Sequence, residues 1–355
     1  MSAPIKKSNQ PSAGTVVALA GMAAAAATAL WVRHHANKAV RDNPPLGRLI
    51  TVDDVRLHYI DVGKGPPVVL LHGNTLQLQD YLGSGLVDAL SQRHRVILFD
   101  RPGFGHSERP RDRLWTPQAQ AALLRQALVQ LGVERPVVVG HSWGALVALG
   151  MALESPADVR GLVLISGYYY PAARADVPLA APAAVPMLGD AIRYTVSPLA
   201  GRLLLKPAVR KMFAPAPIPP TFFDVIPREM LLRPSQIKAT AEEAAFMIPA
   251  AAKFRDLYSG LDVPVTLIAG AGDKIVDVES QSAALHRELP ESKLVVTPGA
   301  GHMVHYAAAA DIAQAVERMS GTGALYIRST VPSLGAAPYV DDAGGQLTAD
   351  TSTRG

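Results

Sequence analysis

Between Arg48 and about Ser320 the chain alternates short, nearly continuous apolar runs with longer stretches of helical period. Residues 68–71, 96–99, 137–139, 162–165, 265–269 and 294–296 lack the in-and-out alternation of a half-exposed strand. Such runs suit strands buried on both faces, as in a parallel sheet covered by helices. Residues 48–52 and 56–62 read as a hairpin turning at Asp53 and Asp54. Helical patterns fall at 117–131, 145–154, 278–288 and 307–319. The alternation predicts an α/β fold: a mostly parallel sheet of about eight strands with helices on both faces.

Residues 168–260 break the rhythm, being rich in proline and without a strand pattern. So long a connection inside a compact domain calls for structure of its own, and a helical lid insertion is expected. In an open α/β sheet ligands bind beyond the carboxyl ends of the strands, where such an insertion would roof the site.

The ends of the chain have a different character. Residues 14–32, GTVVALAGMAAAAATALWV, carry no charge and lie between Lys6 and Lys7 on one side and Arg33, His34 and His35 on the other. As a helix this run of roughly nineteen residues spans about 28 Å, close to the apolar thickness of a bilayer. After a polar segment at 1–13 it reads as a transmembrane helix or signal anchor, although its many alanines weaken insertion. A cleaved secretory signal is the rival reading, and would leave the body secreted or periplasmic. The small excess of cations after the run (Arg33, Lys38, Arg41 against Lys6, Lys7) slightly favours a cytoplasmic body. Residues 33–46, polar and ending in Asn43-Pro44-Pro45, read as a linker to the body at 47–320. The segment 321–355, rich in glycine, serine, threonine and alanine, reads as a disordered tail.

Composition narrows the function. At 49% hydrophobic and 18% charged residues the chain has enough apolar side chain for a core. Without cysteine it has no disulfide, thiolate metal site or cysteine nucleophile. A net charge of +4, with no basic run interleaved with aromatics, gives no sign of a nucleic-acid partner. The histidines are not spaced as a metal cluster, so neither a metal nor an organic cofactor is expected.

Gly140-His141-Ser142-Trp143-Gly144 follows a strand and opens a helix. In that setting G-x-S-x-G is a tight turn that holds a serine hydroxyl above the sheet. A serine needs a positioned base and an orienting carboxylate. Asp273, in Gly270-Ala271-Gly272-Asp273, and His302, in Gly299-Ala300-Gly301-His302, each follow a strand at the same sheet edge.

Together with His72-Gly73-Asn74 and the run from Asp100 to Ser107, DRPGFGHS, these motifs make residues 47–320 resemble the α/β-hydrolase superfamily, in its serine-nucleophile, esterase-like branch. The resemblance implies that Ser142 is the nucleophile, Asp273 the acid and His302 the base, with the backbone amides of Asn74 and Trp143 as the oxyanion hole. Dehalogenases and epoxide hydrolases of that superfamily carry aspartate where this chain has Ser142, which disfavours both chemistries. The implied activity is hydrolysis of ester-like bonds of a hydrophobic small molecule. Carbon-carbon bond hydrolysis, lactonase, acyltransferase or perhydrolase activity can use the same triad, and a non-enzymatic receptor with this fold is the rival from another class.

Other residues receive blander readings. Asp277 suits a helix cap better than the catalytic acid, and His305 is expected to face the last helix. Asp100 is read as shaping its turn, and His72 and His141 as holding loop backbone. Tyr168, Tyr169 and Tyr170 open the insertion as hinge packing or as a lining of the substrate pocket. Residues 185–220 join apolar clusters to Arg193, Arg202, Lys206, Arg210 and Lys211. That segment reads as an inward-packed lid with a solvated basic face, or as a surface for membrane lipid.

Overall fold

The computed structural model of the chain describes residues 12–173 and 181–321. Eight strands form one sheet: β1 (Arg48–Val52), β2 (Val55–Val62), β3 (Pro67–Leu71), β4 (Arg95–Phe99), β5 (Val137–His141), β6 (Gly161–Ile165), β7 (Val265–Gly270) and β8 (Lys293–Thr297). Their order is β1-β2-β4-β3-β5-β6-β7-β8. Among the described residues only the pairings of β1 with β2 and of β2 with β4 are antiparallel. The first hairpin turns at Asp53 and Asp54, both at positive φ (49° and 59°), as a two-residue type I′ turn requires.

The helices are α1 (Ala13–Asp42), α2 (Gln79–Gly83), α3 (Leu86–Ser91), α4 (Pro117–Gln130), α5 (Trp143–Glu154), α6 (Leu188–Tyr194), α7 (Ser197–Phe213), α8 (Phe222–Val225), α9 (Arg228–Leu231), α10 (Pro234–Arg255), α11 (Ala284–Glu288) and α12 (Ala309–Ser320). Successive side chains of a strand point to opposite faces, so each apolar run feeds two cores. Val69, Leu71 and Val138 pack with Leu124 of α4 and Val147 of α5. Val68, Leu70 and Val137 pack with Leu86 of α3 and Ile312 of α12 on the other face. The expected lid is helical, as α6 to α10 between β6 and β7, and it closes a third cluster in which Val209, Phe213 and Phe222 meet Leu76 and Met303.

The linker expected at 33–46 is not a linker over most of its length. Helix α1 runs without interruption to Asp42 and buries Val32 and Ala39. Polarity alone does not end a helix, and 33–42 contains neither glycine nor proline; the helix stops just before Pro44 and Pro45. Residues 13–27 of α1 are exposed throughout, whereas the half from Thr28 onward packs on α6 and α9 of the lid. Among the described residues α1 is the helix long and apolar enough to cross a membrane. The polar segment expected at 1–13 and the tail expected at 321–355 lie, except for Ser12, Ala13 and Gly321, outside the described residues.

Candidate active site

The turn that carries Ser142 is set by close backbone packing. Ser142 stands between β5 and α5 at φ 53° and ψ −116°, a conformation costing an ordinary residue roughly 1–3 kcal/mol. It is held there by its own N–H, which donates to Ile165 O on β6 at 2.8 Å. The two glycines of the motif are required by clearance. A Cβ at Gly144 would lie 2.1 Å from Leu71 O, and one at Gly140 would lie 2.4 Å from Gly144 O.

His302 Nε2 is 3.0 Å from Ser142 Oγ, and His302 Nδ1 is 2.8 Å from Asp273 Oδ2. The residues come together across 160 and 29 positions of sequence because β5, β7 and β8 end at one edge of the sheet. The acid and histidine loops are tied to each other as well. Ala271 N–H donates to Thr297 O and Gly272 N–H to Ala300 O, both at 2.9 Å. The second oxygen of Asp273 accepts the Ile275 and Val276 amides at 2.8 and 2.9 Å. Burial pushes the Asp273 carboxyl up, but the His302 imidazole and these amides outweigh it and hold it below the ordinary carboxylate range. An ionised acceptor at this position fixes the imidazole with Nδ1–H toward Asp273 and the Nε2 lone pair toward the serine hydroxyl.

Beside Ser142 runs the loop after β3. A Cβ at Gly73 would lie 3.2 Å from Ser142 Cβ, so the loop passes in contact with Ser142. His72 Nδ1 donates to Gly73 O at 2.8 Å, and the Arg101 guanidinium donates to the same carbonyl at 3.0 Å. A trans peptide directs C=O and N–H oppositely, so the Asn74 amide points away from these groups. The Trp143 amide is the first of α5, where a helix leaves N–H groups without internal acceptors.

His72 and His141 support the loops around the site. His72 also accepts the Arg101 amide through Nε2 at 3.0 Å, and burial, with Arg101 nearby, pushes it down to about 3. His141 donates through Nε2 to His302 O at 3.0 Å, and burial, with His305 and His302 beside it, lowers it well below the ordinary histidine value. Asp100 is fully buried and accepts from His58, Leu78 N–H and His106 N–H, which is the turn-shaping role expected of it. Asp277 caps the segment after it by accepting the Ser280 amide at 2.8 Å.

Two arrangements were not legible in the sequence. Arg101 is buried and paired with Glu243 of α10, while donating to His72 O, Gly73 O and Gln120 Oε1. His305, expected to face the last helix, is buried with Nε2 3.0 Å from Asp80 Oδ2 of α2, a partner the sequence did not announce. The ring centroids of His305 and His141 lie 4.5 Å apart. Asp80, His141 and His305 place one ligand atom each within 4.8 Å of one another, the arrangement among the described residues that could hold a cation. No local motif announces either group, because the partners lie 142 and 225 residues apart.

Tyr168 and Tyr170 turn their hydroxyls to structural partners, and Tyr169 bonds through its backbone. Tyr168 OH donates to Ala172 O at 2.7 Å, Tyr169 N–H donates to Gln281 Oε1 at 2.6 Å, and Tyr170 OH donates to Glu288 at 2.6 Å. Tyr168 and Tyr169 are buried in the core that contains Trp143 and Tyr258. Among the described residues no hydrogen bond joins a tyrosine of the three to Ser142 or His302.

With that geometry established, the chain can be placed. Residues 66–309 match the family model described as the alpha/beta hydrolase fold, and the chain belongs to that family. It is 35% identical over 117 residues to haloalkane dehalogenase 2 of Mycobacterium tuberculosis, covering 33% of this chain and 40% of that protein. It is 35% identical over 128 residues to 2-hydroxymuconate semialdehyde hydrolase of Pseudomonas putida, covering 36% of this chain and 45% of the relative. The chain thus spans less than half the length of these curated relatives. An alpha/beta hydrolase fold protein from Burkholderia ambifaria has the same fold, with a TM-score of 0.66 and 24% identity over 76% of this chain and 97% of that one.

Proposed function

We propose that the protein is a serine hydrolase, held at a membrane by α1, that cleaves ester-like bonds of apolar small molecules through an acyl-enzyme. The observation that carries this reading is the continuous relay from Ser142 through His302 to Asp273, at 3.0 and 2.8 Å. His302 takes the Ser142 proton through Nε2 as Oγ attacks the carbonyl carbon. The charge that forms on the carbonyl oxygen is met by the Asn74 and Trp143 amides; one such donor has been worth about 10²–10³ in kcat in other hydrolases. His302, charged and held by Asp273, returns the proton to the leaving alcohol. A water then attacks the acyl-enzyme by the same route and frees Ser142.

A serine at the elbow separates this chain from the carboxylate nucleophile of dehalogenase chemistry, whatever its likeness to a dehalogenase. Preference for apolar substrates is supported by the enclosure of Ser142, which is 8% exposed beneath lid helices rich in apolar side chains. A series of p-nitrophenyl esters of increasing acyl length tests the reading. Turnover that requires Ser142 and rises from acetyl to medium chains supports it; faster cleavage of short charged esters contradicts the apolar pocket.

A further inference from the structure

The lid has two ends with different chemistry, joined by one helix. Outside α1, more than half of the large apolar side chains exposed among the described residues fall between Val185 and Leu204. They include Met187 and Leu188 around the start of α6, Val196 just before α7, and Leu199, Leu203 and Leu204 on α7. Val196, Leu199 and Leu203 follow at helical spacing on one face, with Leu203 78% exposed. One turn further on, the same helix exposes Lys206, Arg210 and Lys211.

This shoulder lies beside α1. Arg202 of α7 stacks over the Trp31 ring at 4.9 Å, and α6 and α9 pack on α1. The lid contacts begin at Thr28, where the apolar run of α1 is ending. A bilayer around residues 13–27 would therefore meet the lid with no slack between them. The other end of α7 reaches the catalytic loop: Met303 N–H donates to Met212 O at 3.3 Å, and a Cβ at Gly301 would lie 2.2 Å from Ala214 O.

We infer that the shoulder formed by Met187, Leu188, Val196, Leu199, Leu203 and Leu204 is a docking surface for an anionic lipid bilayer, and that substrate reaches Ser142 from the lipid side of the lid. The apolar side chains enter below the headgroups, and Lys206, Arg210 and Lys211 meet the headgroup charge. The docking is independent of the chemistry, whereas the substrate route rests on the serine hydrolase reading given above.

The absence of cysteine allows one reporter to be placed at a time in the full chain. Leu203→Cys and, as a reference on the exposed face of α4, Val129→Cys are labelled with a fluorophore and reconstituted in phosphatidylcholine–phosphatidylglycerol vesicles. Docking predicts that lipid-borne nitroxide quenches the label at 203 at least about fivefold more than that at 129, with aqueous iodide showing the reverse. Equal iodide quenching at both positions overturns the docking, as does shielding from both quenchers with self-association, which would identify a second copy as the occupant. For the route, Leu199→Gln, Leu203→Gln and Leu204→Gln together should lower turnover of a long-chain ester embedded in the vesicles about tenfold or more. Turnover of a soluble short-chain ester should be unchanged in the same variant. An equal loss on both esters, or on neither, overturns the route. The quenching does not depend on turnover, so a failed hydrolase reading and a failed docking are told apart.

Discussion

Arg101 and Glu243 form a fully buried ion pair that fastens the lid helix α10 to the loop beside Ser142. The same guanidinium holds the His72 and Gly73 carbonyls, while Gln236 and Thr240 of α10 bond Thr75 O and the Asn74 side chain at 2.9 and 3.1 Å. Removing one partner of a buried pair leaves an uncompensated charge, which in other proteins costs about 3–5 kcal/mol. Glu243→Ala is expected to lose that much stability in urea titration, with Glu243→Gln losing less because it keeps an acceptor for Arg101. Wild-type stability in Glu243→Ala would show that the pair does not hold the lid.

The relay residues should differ sharply from their neighbours. Ser142→Ala or His302→Ala is expected to lower turnover of an activated ester by about 10⁴-fold or more with the fold intact, as in other hydrolytic triads. Asp273→Asn should lose a similar or smaller factor. Asp277→Asn, whose carboxylate only caps Ser280, should stay within about twofold of wild type. Steady-state kinetics on the four variants checks the assignment, and a larger loss in Asp277→Asn than in Asp273→Asn would overturn it.

Acid should weaken the fold earlier than carboxylates alone would require. His72, His94, His106 and His141 are all shifted down by burial, His72 to about 3. Between about pH 6.5, the ordinary histidine value, and the lowered values, the unfolded chain binds more protons than the folded one. Stability must then fall as pH falls through that window. Asp273 and Asp100, both held below the ordinary carboxylate range, add a further loss on acidification below about pH 4. Thermal unfolding followed from pH 7 to pH 4 should show the midpoint declining from about pH 6.5, and a flat profile down to pH 4.5 would contradict it.

Glycine substitutions separate clearance from mere flexibility. Gly144→Ala drives a Cβ onto Leu71 O and should cost the upper end of about 1–3 kcal/mol or more, with loss of activity as the elbow shifts. Gly260→Ala, whose Cβ would meet open space, is expected within about 0.5 kcal/mol of wild type. Chemical denaturation of the two proteins, side by side, makes the comparison.

The sheet was legible because its strands are short β-branched runs that no other element explains. All eight expected runs are strands, from the hairpin at Asp53 and Asp54 to β8. The candidate relay was legible for a local reason: each member sits in a glycine-bearing turn at a strand end, where Gly140, Gly144, Gly270 and Gly301 let backbone pass close by and Gly299 takes a positive φ of 69°. The supporting shell was not. Glu243, Asp80 and Gln281 have nothing local to mark them, because the groups they bond lie 142, 225 and 112 residues away in the sequence. The helical course of residues 33–42 is not legible from polarity, because a polar segment without glycine or proline can stay helical; the proline pair that follows marks its end.

The central claim is that Ser142 becomes covalently acylated. A fluorophosphonate probe applied to the full-length protein, followed by intact-mass and peptide mass spectrometry, tests it directly. The account predicts one adduct, on Ser142, absent from Ser142→Ala and strongly reduced in His302→Ala. An unlabelled wild-type protein, or an adduct that persists in Ser142→Ala, would contradict it.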